Sequence, residues 1–158
     1  VSETSRILPK LVVTTTRVDD IRLLIPLLDS RHPLLWMRKG EGMAGLGEAL
    51  RLDFSGPDRF AQACETWREV ARLATVTDPL QSPGTGLVAF GAFAFSSTSA
   101  LVSTLIVPQI IVGKRAGVFW ITRVAVAAED GSMPATPAAP AARPLGTEYR
   151  LSLLPGQV

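Results

Sequence analysis

Few residues of this 158-residue chain have types that do chemistry, and they are widely spaced. His32 is its one histidine, so a nucleophilic triad or an imidazole metal site would have to be built around it. It precedes Pro33 in an Asp29-Ser30-Arg31-His32-Pro33 loop with no second imidazole nearby, and reads as an ordinary surface residue. Cys64, the single cysteine, excludes an intrachain disulfide and a cysteine zinc cluster. Its spacing from Phe60, Trp67 and Ala71 makes it a small core residue of a helix rather than a nucleophile. Glu41 and Glu48 flank a glycine-rich stretch and are the candidates for an acid/base pair of carboxylates. Glu41 reads better as an exposed turn residue, and Glu48 as a strand residue paired with Arg38 or Arg51. Ser96-Ser97-Thr98-Ser99 lacks the strand-turn-helix setting of a nucleophilic serine and reads as a loop. On these grounds no catalytic, cofactor-binding or metal-binding residue is assigned.

The glycine stretch Gly40-Glu41-Gly42-Met43-Ala44-Gly45 satisfies G-x-G-x-x-G. Dinucleotide binding by that pattern needs a helix straight after the glycines, whose N–H groups meet the pyrophosphate. Here Leu46 to Phe54 continue as a strand, and the next helix start, Ser55-Gly56-Pro57-Asp58, comes too late. A kinase-type loop fits the local shape, yet no catalytic Asp and Asn segments follow. The stretch is a structural hairpin turn.

Composition narrows the classes further. The formal charge is +2, and the only adjacent cations, Arg38-Lys39 and Lys114-Arg115, fall where turns are expected. That excludes the concentrated basic face that nucleic-acid binding uses. From Pro79 to Gly113 there is no charged residue. A membrane-spanning helix needs about 20 consecutive apolar residues. Ser96–Ser99 and Pro108 break this run into shorter pieces rich in Val, Ile, Phe and Thr, which suit buried strands. The lone cysteine and the polar Val1 to Arg6, with no apolar stretch following, suit a cytoplasmic protein without a signal peptide.

The elements follow from periodicity. Leu11 to Val18 is a β-branched strand, and Asp19-Asp20 precedes a short helix from Ile21 to Leu28. Leu34 to Arg38 and Met43 to Phe54 are two strands joined by the Lys39-Gly40-Glu41-Gly42 turn. A helix from Pro57 to Ala74, capped by Ser55, turns Phe60, Cys64, Trp67 and Ala71 to one apolar face. Leu87 to Phe95 is apolar at odd and even positions, the mark of an interior strand covered on both sides. Ser103 to Val112 and Val118 to Val126 form a hairpin, with Pro108 at a bulge or an open edge. The expected fold is α+β: a mostly antiparallel sheet with one main packed helix. Residues 1–127 form the sheet-plus-helix region, 128–147 a Pro/Ala-rich linker or surface loop, and 148–158 a last strand.

From about Leu11 to Ile121 the chain resembles the N-terminal half of the isochorismate synthases, within the chorismate-utilising enzymes, in their actinobacterial type. The marks are Trp36, Arg38, Gly42, Gly45, Gly47 and Glu48, then Phe54 to Phe60, and then Pro83-Gly84-Thr85-Gly86. Ala89-Phe90-Gly91, Phe93-Ala94-Phe95, Ile106-Val107-Pro108 and Val112-Gly113 complete them. Ser96 departs from the acidic residue that relatives often carry at the end of the Phe-Ala-Phe strand. The resemblance implies that the full-length enzyme converts chorismate to isochorismate with magnesium, for menaquinone or siderophore biosynthesis. It also implies that the acid/base residues and metal ligands lie in a C-terminal half expected beyond Val158. This chain would then be inactive alone, hold no cofactor itself, and have that half as its partner. Isolated, it would self-associate through the apolar surface that the half covers. Two readings stand beside this one: a stand-alone binding or regulatory module, and a small membrane-associated protein built on the uncharged run.

Overall fold

A computed structural model describes residues 7–21, 29, 31–96 and 98–128. The expected helix (but for Ile21), Ser97, the linker (but for Ala128) and the last strand lie outside the described residues. Strands β1 (Leu11–Val18), β2 (Leu34–Arg38), β3 (Glu41–Leu46) and β4 (Leu50–Phe54) precede helix α1 (Arg59–Leu73). After it come β5 (Thr75–Thr77), β6 (Phe90–Ala92), β7 (Ser103–Val107), β8 (Ile110–Arg115) and β9 (Val118–Val126). A six-stranded sheet has the order β2-β3-β8-β9-β1-β5, and a three-stranded sheet the order β4-β7-β6. All pairings are antiparallel except β1 with β5. The fold is α+β, as the sequence leads one to expect.

The segment expected as one strand from Met43 to Phe54 is divided between the two sheets at Gly47–Ala49, and Ser103 to Val112 is divided likewise at Pro108 and Gln109. The partners stay together across the break: Leu46 pairs with Ile110 in the large sheet, and Leu50 with Val107 in the small one. Three residues on one strand face two on the other, so the ribbon bends as at a β-bulge. Ala49 N–H to Val107 O (2.8 Å), Gln109 N–H to Leu46 O (3.0 Å) and Val124 N–H to Gln109 O (2.8 Å) satisfy the backbone through the bend. Pro108, buried at the break, has no N–H to leave unpaired there.

The main core fills the space between the sheets. Leu11, Val13 and Val124 from the large sheet meet Leu52, Phe54 and Val107 from the small one, with Ala63 and Val70 of α1. Here the helix departs from expectation. Its buried residues are Arg59, Ala63 and Val70, whereas Cys64 is exposed and Phe60 is 51% exposed. Trp67 packs against the core only in part. The buried face is one residue out of register with the expected one because Arg59 is drawn inward. Its guanidinium donates from Nη2 to Ala94 O (2.8 Å) and Phe95 O (3.1 Å), from Nε to Ala94 O (3.1 Å) and from Nη1 to Gly56 O (3.1 Å). A charge so satisfied by carbonyl groups can be buried without a carboxylate partner. The residue before the helix is Asp58, with no side-chain cap, so the expected Ser55 cap is absent.

Leu87 to Phe95 is not an interior strand. Only Phe90–Ala92 pairs, at an edge of the small sheet. The two-sided apolarity has another cause: Leu87 and Ala89 pack on the main core, while Val88 and Phe90 face a cleft on the other side. The uncharged run thus forms this layer and β6 to β8, and among the described residues no helix is long and apolar enough to cross a membrane.

The helix register gives a direct prediction. Arg59→Met keeps the stem but strips the donors from buried carbonyls, and should lower stability by about 1–3 kcal/mol. Cys64→Ser, on the exposed face, should change it by less than about 0.5 kcal/mol. Urea unfolding followed by circular dichroism compares the two.

Candidate functional site

An open cleft of about 520 Å³ lies at the β2–β3 end of the large sheet. Strand register builds its floor. Trp36 is opposite Met43, Met43 opposite Gly113, and Gly113 opposite Trp120, so four strands place one row on the same face. Trp120 is 1% exposed and its indole lies flat over Gly113, where an added Cβ would collide with the ring. Glycine at 113 is therefore what lets a large indole lie against the sheet.

Two residues along the strands, the next row on that face is Arg38, Glu41, Arg115 and Val118. Arg38, Glu41 and Arg115 of this row form the rim, with Lys114 beside them. Both hairpins close with two-residue turns, Lys39-Gly40 and Ala116-Gly117, whose central residues all have positive φ, as type I′ turns require. Glu41 Oε1 accepts the Ala116 N–H at 2.8 Å and ties one turn to the other.

The roof is the Pro83–Gly91 segment. Asp78 holds its start: Oδ1 accepts from Leu80 N–H (3.1 Å), and Oδ2 accepts from the Thr85 hydroxyl (2.6 Å). Gly86 N–H donates to Thr15 Oγ1 at 3.0 Å, and Thr15 is bonded to Thr122 at 2.8 Å between their hydroxyls. These buried bonds fasten the roof to the large sheet. Gly84 then lies close over Met43 and Trp120, leaving no space for a side chain.

The chemistry-bearing residues named from sequence are not gathered here, Glu41 apart. His32 is exposed in its loop and does not line the cleft. Glu48 accepts from Arg51 Nη2 at 2.9 Å and Nε at 3.1 Å, so of the two arginine partners expected for it the nearby one is used. Those bonds raise the Arg51 pKa above its ordinary value. Glu41 and Glu48 thus serve a turn and the bend, and do not form a carboxylate pair. Cys64 lines a shallower apolar groove with Trp67, Phe93 and Leu105. Ser96 and Thr98 bond to each other at 2.9 Å in the loop. The cleft residues that sequence reasoning missed are Arg115, Lys114 and Trp120. For the two cations the dibasic pair itself was the only signal, and Trp120 had none.

A family model described as chorismate binding enzyme matches residues 2–139. The chain belongs to this family. No curated protein and no solved structure matches the chain. Magnesium, which the sequence resemblance attaches to the full-length enzyme, does not fit the residues seen: among those described, no three His, Cys, Asp or Glu side chains come together as a metal site. In this family member, then, the described residues build a cleft with a cationic rim and an aromatic floor.

The floor packing is testable. Gly113→Ala forces a methyl into the Trp120 indole and should cost about 1–3 kcal/mol. Combining it with Trp120→Leu should cost less than the sum of the two single changes, because the collision disappears with the ring. Urea midpoints of the four proteins complete the cycle.

Proposed function

We propose that these residues are the non-catalytic N-terminal portion of an isochorismate synthase, acting in the cytoplasm. In this reading they are a scaffold for a C-terminal half that binds chorismate and magnesium and converts chorismate to isochorismate. The observation that carries it is the match of the chorismate-binding family over residues 2–139 to a domain whose most distinctive residues shape backbone rather than hold ionisable chemistry. Gly45 lies against Pro108 in the bend, Gly113 under Trp120, and Gly84 over Met43. The narrower assignment to isochorismate synthases is supported by the resemblance of stretches such as Trp36–Glu48, Phe54–Phe60 and Pro83–Gly86.

The surface supports a partner half. Beyond the β6 edge, Phe93, Phe95, Leu101 and Val102 are 37%, 103%, 72% and 56% exposed. Phe93 stacks on Phe60 with ring centroids 4.9 Å apart, prolonging the apolar surface onto α1. Exposed apolar residues beside an open strand edge mark an association surface.

Two measurements test the proposal. The purified chain, incubated with chorismate and magnesium, should form no isochorismate, and activity should require the polypeptide encoded downstream in the same reading frame. Turnover by the chain alone, abolished by Glu48→Gln or His32→Ala, would place the active site here instead. Light scattering should show self-association of the chain alone, reduced by Phe95→Ser with Leu101→Ser and relieved when the downstream half is supplied. A monodisperse monomer indifferent to that half would favour a stand-alone binding module.

A further inference from the structure

The fold collects the chain's only two dibasic pairs at one place. Arg38-Lys39 and Lys114-Arg115 lie far apart in sequence, yet the pairing of β3 with β8 sets their turns side by side. Arg38, Lys114 and Arg115 all line the cleft, and none forms an ion pair among the described residues. The one acid among the lining residues is Glu41, and its Oε1 is engaged by the Ala116 N–H. Arg38 and Arg115 on the cleft face, with Lys114 beside them in the lining, stand against the single carboxylate of Glu41 and leave the rim with an excess of positive charge. Behind it the walls are apolar and aromatic: Trp36, which is 56% exposed, with Met43, Phe90 and Trp120. Trp120 Nε1 is buried with no acceptor, an uncommon state for an indole N–H. A cleft of this volume, mostly apolar with a few convergent polar groups, has the make-up of a small-molecule site.

We propose that this cleft binds a small organic anion: a carboxylate carried on a planar, apolar body. The carboxylate lies at the Lys114–Arg115 rim, where a guanidinium offers paired donors matched to its two oxygens. The body lies between Trp36 and Phe90, over Met43. A bare phosphate would satisfy the rim and leave the aromatic wall unused. A zwitterionic amino acid would bring its ammonium among these cations, with Glu41 alone to offset the repulsion. The site stands on the charge and shape of the cleft and does not depend on the isochorismate synthase assignment.

Three probes that differ at one group test this on the 158-residue chain: 3-phenylpropanoate, its neutral amide, and L-phenylalanine, which adds only the ammonium. Binding is followed by calorimetry and by tryptophan fluorescence, since Trp36 and Trp120 both line the cleft. The carboxylate should bind saturably at one site, at least about tenfold tighter than either other probe, with affinity falling as salt screens the rim. Lys114→Gln with Arg115→Gln should weaken it at least about tenfold, a factor of ten in affinity being about 1.4 kcal/mol. Arg38→Gln, a single change on a separate strand, serves as the second variant should the double one fail to fold. Arg72→Gln, on the far side of α1, should leave binding unchanged. Absence of saturable binding by the carboxylate overturns the proposal. So does equal binding of the amide or of phenylalanine, or an equal loss in the Arg72 variant.

Discussion

The bent ribbon of β3–β4 against β7–β8 is the constraint on which the rest of this domain depends. Both sheets are threaded by the same pair of strands, so the angle at Gly47–Ala49 and Pro108–Gln109 fixes how the sheets face one another. A bend in two paired strands ordinarily exposes unpaired backbone groups. Here three hydrogen bonds and a proline with no N–H remove that cost. Gly45 makes the bend sterically possible, since a side chain there would press on Pro108 and Phe90. The main core, the helix seat and the cleft all lie in the space this bend opens.

Within that space burial is decided by satisfaction of polar groups more than by hydrophobicity. Arg59 is 4% exposed because four hydrogen bonds to carbonyl groups surround its guanidinium. Thr15 and Thr122 are buried because each meets the other and Thr15 also accepts the roof's Gly86 N–H. These polar contacts hold the loop segments, where apolar packing alone gives little directional restraint. Trp120 is the exception, a buried donor without an acceptor, and it lies in the cleft.

The family relationship takes on a physical form here. Several glycines and aromatic residues within the family-matched region allow a backbone to turn, a proline to seat or an indole to lie against a sheet. They specify a scaffold. The cationic rim is a separate layer of information, carried by side chains at the strand ends next to the two type I′ turns.

The sequence alone determined the elements whose signals are local. The β1 strand, the β2–β3 hairpin with a glycine turn after Arg38 (narrowed in the structure from Lys39–Gly42 to Lys39-Gly40), the helix after Asp58 and the β8–β9 hairpin follow from alternation, glycine placement and helical spacing. So did the α+β class and the surface setting of His32 and Glu41. Three things were decided only by tertiary structure. The helix face shifted by one residue because Arg59 found acceptors 35 and 36 residues away, which no periodicity records. Leu87 to Phe95 looked like a central strand because apolarity on both sides reports burial on both sides, and a segment lying between a core and a cleft produces the same pattern. The cleft was illegible because its floor is one row across β2, β3, β8 and β9. The pairing of Met43 with Gly113 joins residues far apart in the chain, and register at that distance is set by the bend rather than by either strand's own residues.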